Sequence, residues 1–240
     1  MGVIETIRSE ADRFIQQQDD RPYVTLSYAQ SLDGCLATRD GRPYALSGDE
    51  ALHLTHSLRA AHQAILVGVG TVISDDPLLT VRLVNGESPQ AVIVDTNLRT
   101  PLNSRLIARG HHLPWLAARS NVDEACRQTF EAVGCKVLRC SMDEGGYILL
   151  PDLLSQLRRL GITTLMVEGG MHVITSFLLR QLVDMVVITV APVWLGGKPS
   201  LAEEMVTHSA PDRYPLAQIS APRLEPAGRD MVLWGHLKKE

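Results

Sequence analysis

Residues 165–178, LMVEGGMHVITSFL, combine three local patterns that decide the fold. An apolar run ends at Val167, Glu168-Gly169-Gly170 interrupts it, and a helical pattern begins at about Met171. A buried strand that turns directly into a helix is the repeating unit of α/β proteins. Glycines let a backbone approach a ligand closely, and the free N–H groups at a helix start attract anions. The turn is either a plain helix start or a phosphate site, and the stretch alone leaves both open.

The same alternation of apolar runs and helical patterns extends through most of the chain. Wholly apolar strands are typical of a parallel sheet that helices cover on both faces. The predicted strands are 23–29, 64–68, 112–117, 135–139, 163–167 and 184–192. The predicted helices are 4–17, 47–61 with a capping box of Ser47 and Glu50, 120–134 with a Ser120 cap, 151–161 opened by Pro151, and one from about Met171. Residues 216–237 predict two antiparallel edge strands, which complete a mostly parallel α/β sheet flanked by helices.

Length and composition restrict the class of protein. A chain of 240 residues forms a single α/β domain, here predicted over 21–240 after an N-terminal appendage helix in 1–20. The net charge of -4 and the scattered basic residues argue against nucleic acid or a membrane surface as a partner. Four cysteines lack metal-binding or redox spacing, and neither a signal peptide nor a membrane-spanning run is found. We expect a cytoplasmic protein with reduced thiols.

Polar segments that follow the strands are the candidate sites, because open α/β sheets bind ligands at the carboxyl ends of their strands. These segments are AQSLDG, GVGTVISDDPLLTVRL, DTNLR and EGGMH. GVGT lacks the third glycine of a dinucleotide-binding loop, since position 73 is Ile, and so predicts a plain strand-to-helix turn at Gly68 and Gly70. The sequence therefore does not predict a Rossmann cofactor loop.

Acidic and histidine side chains offer weaker signals. Asp75 and Asp76 precede Pro77, which is consistent with a metal pair, a proton donor, or a turn in which Asp76 bonds its own backbone. No third hard ligand lies nearby in sequence, so no metal site is predicted. His53, His56 and His62 share a predicted helix without HExxH spacing, and we expect them to be solvated or capping residues.

Three long segments together carry a family resemblance. RPYVTLSYAQSLDG (21–34), LRAAHQAILVGVGTVISDDPLLTVRL (58–83) and LMVEGGMHVITSFLLRQLVDMVVITVAPVWLGG (165–197) resemble the reductase family of riboflavin biosynthesis. The resemblance implies a dihydrofolate-reductase-like fold, a homodimer and NADPH as the cofactor. It also implies reduction of a ribosylamino-pyrimidine 5′-phosphate to its ribitylamino product. The substrate would be 2,5-diamino-6-ribosylamino-4(3H)-pyrimidinone 5′-phosphate or 5-amino-6-(5-phosphoribosylamino)uracil.

The same resemblance implies a set of site residues, taken motif by motif. Those implied to line the cofactor are Ala29, Tyr44, Thr71, Asp75, Thr96, Gly170, Met171, His172, Val173, Ile174, Thr175 and Ser176. Those implied to bind the substrate are Arg59, Leu79, Arg82 and Glu168, with the two arginines on the 5′-phosphate and Glu168 on the pyrimidine. Asp75 and Glu168 are the implied catalytic pair, Asp75 assisting proton movement. Arg99, with Arg119 second, is the candidate for the 2′-phosphate of NADPH.

Two positions depart from the family pattern, and two other functions compete with the leading one. Ser27 stands where many bifunctional members have lysine, and Arg42 where they have a small polar residue. The first competing function is reduction of another substrate, such as a pterin like dihydrofolate, on the same scaffold. The second is non-catalytic nucleotide binding. The second predicts loss of the ligand-binding side chains, yet Arg59, Arg82 and Glu168 are all present.

Overall fold

The computed structural model describes residues 2–18, 20–40, 44–108, 112–202 and 217–238. Within these ranges the strands are β1 (Tyr23–Ser31), β2 (Cys35–Ala37), β3 (Ala64–Gly68), β4 (Gln90–Val94), β5 (Trp115–Arg119), β6 (Lys136–Cys140), β7 (Thr164–Gly169), β8 (Met185–Ala191), β9 (Lys198–Pro199), β10 (Ile219–Ala227) and β11 (Asp230–Leu237). The helices are α1 (Val3–Gln17), α2 (Asp49–Ala60), α3 (Val69–Asp75), α4 (Arg105–Ala108), α5 (Glu124–Ala132), α6 (Leu150–Arg159) and α7 (Met171–Leu179). Each predicted strand and helix is present, although several ends differ from the predictions.

A nine-stranded sheet organises the molecule in the order β10-β11-β8-β1-β7-β3-β4-β5-β6. All neighbours from β8 to β6 are parallel. At the other edge β11 runs antiparallel to β8, and β10 antiparallel to β11. The prediction of a mostly parallel sheet with antiparallel C-terminal edge strands is confirmed. Because the carboxyl ends of the parallel strands lie along one edge, the loops after β1, β3, β4 and β7 meet there.

Two apolar clusters cover the opposite faces of this sheet. In β3, Ala64 and Leu66 belong to one cluster, and Ile65 and Val67 belong to the other. Helices α6 and α7 supply the first cluster, while α1, α2 and α3 contribute to the second. Successive residues of a strand face opposite sides, so both sides of β3 must be apolar. This is why the strand segments are continuous apolar runs.

Helix α1 packs onto the start of β1 through its own apolar face. Val3, Ile7 and Ala11 are buried at a spacing of four residues, in the same cluster as Tyr23. Arg21 then makes two bonds to Asp184, at 2.7 and 2.8 Å, and Asp184 also accepts the Val24 N–H at 2.9 Å. This buried ion pair ties the first strand to the start of β8. The division into an appendage helix and a reductase domain stays a prediction.

His62, just after α2, is not solvated, but it caps the last turn of that helix, which is one of the two expected roles. It is 5% exposed, and its ring nitrogens lie 2.7 Å from the Leu58 carbonyl oxygen and 2.8 Å from Thr25 Oγ1. A carbonyl only accepts, so Nδ1 donates to Leu58 and Nε2 accepts from the threonine hydroxyl. The ring is therefore neutral, and burial lowers its pKa to about 4.

Two predicted helix caps are wrong, because other partners take their places. Helix α2 has no side-chain cap, and its N-cap residue Gly48 donates its N–H to Asp230 at 2.7 Å, so the predicted capping box does not form. Helix α5 is capped by Asp123, which accepts the Cys126 N–H at 2.8 Å, and not by Ser120. Gly68 is the N-cap of α3, which confirms the predicted strand-to-helix turn. The short elements α4, β2 and β9 were not predicted.

Across the described ranges, none of the helices combines the length and the apolar character that crossing a bilayer requires.

We expect the protein to lose stability as the pH falls from about 6.5 towards 4, because of His62. Its pKa in the folded protein, about 4, lies below the ordinary value of 6.5, so the unfolded chain binds the proton more readily in this window. The lost free energy of unfolding is about 2 kcal/mol at pH 5. Urea unfolding at pH 7.5 and pH 5 measures it, and His62→Gln should remove about 2 kcal/mol of the wild-type difference, while the equally lowered pKa of the buried His56 leaves a similar share in place. A His53→Gln control on the exposed side of α2 should leave the wild-type difference intact. An equal pH dependence in wild type and His62→Gln would refute this origin.

Candidate functional site

A cavity of about 880 Å³ opens at the carboxyl edge of the parallel strands. Several predicted residues from four separate segments line it. They are Ala29 after the middle of β1, Thr71 and Asp75 in α3, Thr96 and Arg99 after β4, and Glu168, Gly170, Met171, His172, Val173 and Ser176 at the end of β7 and in α7. The fold therefore brings together segments that are far apart in the chain. This is the position at which open α/β sheets bind ligands.

The turn between β7 and α7 forms one wall of the cavity through its backbone. Gly169 has φ +114, a conformation that side chains disfavour, and the Gly169–Gly170 peptide is cis. A Cβ on Gly170 would lie 3.2 Å from Thr71 Oγ1, so a side chain would crowd α3. The first helical hydrogen bond runs from the Ile174 N–H to the Gly170 carbonyl. The N–H groups of Met171 and Val173 come before that bond, at the positive end of the helix, where an anion would be favoured.

Helix α7 turns only one of its faces towards the cavity. Met171, His172, Val173 and Ser176 line it. Ile174 is fully buried in the core, and the Thr175 hydroxyl donates to the Met171 carbonyl at 2.7 Å. Of the predicted run from 170 to 176, Ile174 and Thr175 therefore do not line the cavity.

The two adjacent acids after β3 lie in different environments. Asp75 is exposed at the end of α3, lines the cavity and accepts the Ser74 hydroxyl at 2.6 Å. Asp76 follows with φ 42, and its Oδ1 accepts the Arg105 N–H at 2.7 Å. The predicted turn at Asp76 is present, but its side chain bonds Arg105 and not its own backbone. The two carboxylates therefore do not act as one pair.

A buried aspartate shapes the loop after β4. Asp95 is fully buried and accepts the Arg99 N–H at 2.8 Å and both the N–H and the hydroxyl of Thr100 at 2.7 Å. This folded loop places Thr96 and Arg99 at the cavity. Arg119, the second candidate for a 2′-phosphate, is not among the lining residues, although its backbone N–H bonds the Thr96 carbonyl at 3.2 Å. Its buried Nε has no hydrogen-bond partner among the described residues.

Arg59 and Glu168 form a two-point ion pair at the end of β7. Arg59 Nε lies 2.7 Å from Glu168 Oε1, and Nη2 lies 2.8 Å from Oε2. Both side chains are mostly buried, at 12% and 15% exposure. Burial opposes the guanidinium charge, but Glu168 outweighs it and raises the pKa of Arg59. The third nitrogen of the guanidinium group, Nη1, does not contact the carboxylate. It donates to the Thr80 carbonyl at 3.2 Å.

His56 holds the backbone beside the second arginine. Its Nδ1 accepts the Arg82 N–H at 2.9 Å, and the residue is 3% exposed. Burial, followed by the charges of Arg59 and Arg82, lowers the pKa of His56 to about 4. His56 is therefore a neutral buried acceptor, and its prediction as a solvated or capping residue is wrong. Burial, with the charges of Arg59 and Arg105, lowers the pKa of Arg82 itself, so Arg82 lies close to two other guanidinium groups, of which Arg59 is paired with Glu168.

Some predicted residues do not line the cavity, and some residues that line it were not predicted. Leu79 is buried in the core with φ 54, and Tyr44 is 48% exposed outside the lining set. Arg42 lies outside the described residues. Sequence reasoning missed Ser27 as a lining residue, together with Thr189 and Lys198. The period of two along β1, which puts Ser27 on the same side as Ala29, could have found the first of these.

Comparison with known proteins identifies relatives over most of the chain. The family described as the RibD C-terminal domain matches residues 22–229. The riboflavin biosynthesis protein RibD of Aquifex aeolicus is 36% identical over 206 residues, which cover 85% of this chain and 56% of that protein. The chain spans about half the length, 48% to 56%, of the curated relatives with that name.

Shorter relatives match over most of their own length. The 2,5-diamino-6-ribosylamino-4(3H)-pyrimidinone 5′-phosphate reductase of Methanothermobacter thermautotrophicus is 37% identical over 181 residues, which cover 74% of this chain and 81% of that protein. Among solved structures, the riboflavin biosynthesis reductase Rib7 of Saccharomyces cerevisiae superimposes with a TM-score of 0.70 at 26% identity, over 95% of this chain and all of that one. The fold is thus the predicted dihydrofolate-reductase-like α/β fold. The chain belongs to the RibD C-terminal domain family, the reductase family that its motifs resemble.

Proposed function

We propose that this protein uses NADPH to reduce a ribosylamino-pyrimidine 5′-phosphate to its ribitylamino product. The observation that carries the proposal is the position of Glu168. Its carboxylate is fixed by Arg59, while the two residues that follow it form the glycine turn before α7. One short segment therefore presents an oriented acceptor on one side and the backbone N–H groups of a helix start on the other. Two ligands, a heterocycle with N–H groups and an anion, would meet there.

The residues present fit a nicotinamide dinucleotide. The start of α7 offers N–H groups for a pyrophosphate, and a side chain at Gly170 would crowd Thr71, which supports a turn made of backbone alone. Thr96 and Arg99 would hold the adenosine end, and Ala29 lies on the other side of the turn, in β1. When bound, the cofactor supplies the hydride, and the chain's own residues bind and orient.

Glu168 and the arginine cluster fit the two ends of the substrate. Arg59 bonds both oxygens of the Glu168 carboxylate. The remaining lone pairs of those oxygens would accept hydrogen bonds from N–H groups of the pyrimidine in the cavity. Arg82, whose backbone is held by His56, would bind the 5′-phosphate. Arg59 would contribute at most Nη1 to that phosphate, because its other contacts go to Glu168. Asp75, accessible at the cavity, would move a proton during opening of the sugar.

The diamino-pyrimidinone phosphate is the first substrate to test, because relatives that this chain covers by 81% to 84% are named as its reductase. The uracil phosphate is the second. A pterin such as dihydrofolate lacks a phosphate and would leave the arginine cluster around Arg59, Arg82 and Arg105 without an anion. A non-catalytic protein would have no use for an acceptor beside the cofactor turn. These features favour the riboflavin-pathway reaction over both alternatives.

We expect the purified protein to oxidise NADPH with at least one of the two pyrimidine phosphates, followed by the loss of reduced-nicotinamide absorbance. Glu168→Gln should lower kcat/KM for the pyrimidine about 30-fold or more, because a charge-assisted acceptor contributes about 2 kcal/mol or more. The Kd of NADPH, measured by fluorescence, should change less than twofold.

Glu87→Gln, an exposed substitution outside the cavity lining, is the matched control and should leave both values unchanged. Turnover with dihydrofolate alone would overturn the proposed function. Equal losses of NADPH binding and pyrimidine turnover in Glu168→Gln would instead overturn the division of the site between two ligands.

Cofactor preference should depend on an arginine at the adenosine end. Arg99→Ala should raise the KM for NADPH about tenfold while leaving the KM for NADH nearly unchanged, because only NADPH carries the 2′-phosphate. Arg119→Ala is the paired test of the second candidate. If only Arg119→Ala raises the KM for NADPH selectively, Arg119 is the residue that binds the 2′-phosphate. If neither variant does so, neither arginine binds it.

A homodimer is the proposed assembly, and an apolar surface on the antiparallel edge supports it. Leu224 is opposite Leu233, which is opposite Ile188, so the three side chains share one side of the sheet. Met231 lies beside them, opposite Val190. Leu224 is 60% exposed and Met231 38%, and the others are half-buried. A contiguous apolar patch of this kind is typical of a subunit interface.

We expect the wild-type protein to show a dimeric mass by size-exclusion chromatography with light scattering. The double variant Leu224→Glu, Met231→Glu should show a monomeric mass, because it buries two charges at the interface. Leu160→Glu, an equally apolar exposed position at the end of α6, is the control and should stay dimeric. A dimeric double variant would place the interface elsewhere.

A further inference from the structure

Two hydroxyl side chains on the cavity floor are nearly buried and have no internal partner. Ser27 is 7% exposed and Thr189 is 6% exposed, and both line the cavity. Neither hydroxyl has a hydrogen-bond partner within the described part of the chain. Neither oxygen is among the fully buried side-chain atoms that lack a partner, so both oxygens are open to the cavity, and a ligand there can complete their hydrogen bonds.

Thr25 shows what a satisfied hydroxyl on this strand looks like. It lies two residues before Ser27, on the same side of β1, and is fully buried. Its Oγ1 donates to His62 Nε2 at 2.8 Å. Thr25, below the cavity, thus has a partner within the protein, whereas Ser27, at the cavity, has none among the described residues. The two hydroxyls therefore differ because one of them lies at the cavity, and not because of the strand that carries both.

Strand pairing places both hydroxyls on the same side of the sheet as Glu168. Leu26 pairs with Val167, and both belong to the core cluster under α6 and α7. Ser27 and Glu168, one residue further on, must therefore face the opposite side, towards α2. Thr189 pairs with Ala29, which shares the side of Ser27. The hydroxyls thus lie on the face that carries the Arg59–Glu168 pair, away from the face that α7 covers.

We propose that Ser27 and Thr189 form a subsite for the ribosyl hydroxyl groups of the pyrimidine nucleotide. This inference rests on the proposed function. Glu168 accepts only and suits the N–H groups of the base, and the guanidinium groups suit the phosphate. A serine or threonine hydroxyl both donates and accepts, which matches a sugar hydroxyl. The ribosyl hydroxyl groups of the substrate therefore match the hydroxyl groups of Ser27 and Thr189 in hydrogen-bonding capacity.

Removing either hydroxyl should impair use of the substrate without affecting the cofactor or the fold. Ser27→Ala and Thr189→Val should each lower kcat/KM for the pyrimidine phosphate about fivefold to tenfold, the effect of one neutral hydrogen bond. The Kd of NADPH should change less than twofold, and Tm should change little, because neither hydroxyl has a hydrogen-bond partner among the described residues. Thr189→Ser, which keeps the hydroxyl, should retain most of the activity.

Ser104→Ala is the matched control. Its buried hydroxyl also lacks a partner among the described residues, but it lies outside the cavity lining, so kcat/KM should not change. The 2′-deoxy and 3′-deoxy ribosyl substrates complete the test. With the wild-type protein, kcat/KM for at least one deoxy substrate should be lower than for the full substrate, by the same factor that Ser27→Ala causes. On that deoxy substrate, Ser27→Ala should cause no further loss of kcat/KM.

The outcomes separate this subsite from the proposed function. A wild-type protein that turns over neither pyrimidine phosphate would overturn the function, and the ligand assigned here with it. Wild-type turnover with unchanged kinetics in Ser27→Ala and Thr189→Val would overturn the subsite alone. A selective rise in the Kd of NADPH would assign the hydroxyls to the cofactor and would also overturn the subsite, as would full additive losses on both deoxy substrates.

Discussion

The bidentate contact between Arg59 and Glu168 is the interaction on which the substrate half of the site depends. It joins α2 to the end of β7 across 109 residues of sequence. It fixes the carboxylate in one orientation, and Arg59 also reaches the Thr80 carbonyl in the loop that carries Arg82. Breaking one partner of a mostly buried pair would leave the other charge uncompensated. One guanidinium group therefore holds both the carboxylate that we propose as the acceptor for the base and the loop that we propose for the phosphate.

The cofactor half is organised by the backbone. The glycines after Glu168 remove side chains where α7 begins, and the buried carboxylate of Asp95 folds the loop that carries Thr96 and Arg99. Under the proposed function, side-chain charge would decide recognition on one side of Glu168, and main-chain N–H groups would decide it on the other. A chain with a net charge of -4 could then hold two phosphorylated ligands. The positive groups that matter are local.

Particular residues show how far the sequence could predict this site. The helix start at Met171 was read correctly because a glycine turn before a helix is a local pattern. The ion pair of Arg59 and the buried position of His56 were not predicted, because the partner of Arg59 lies 109 residues away and that of His56 lies 26 residues away. The expected phosphate clamp of Arg59 with Arg82 assumed a free guanidinium group. The capping box of α2 failed for the same reason, since Asp230 approaches Gly48 from 182 residues away.

The sequence by itself determined the α/β class, the order of strands and helices, the family and most of the segments that surround the cavity. Those features follow from periodicity, turn chemistry and motif order, which are properties of neighbouring residues. Only the tertiary structure decided which charges pair, which histidines are buried and neutral, and which hydroxyls, such as those of Ser27 and Thr189, face the cavity without a partner. Hydrogen bonding and burial depend on strand register and on contacts between distant segments, and no local pattern encodes them.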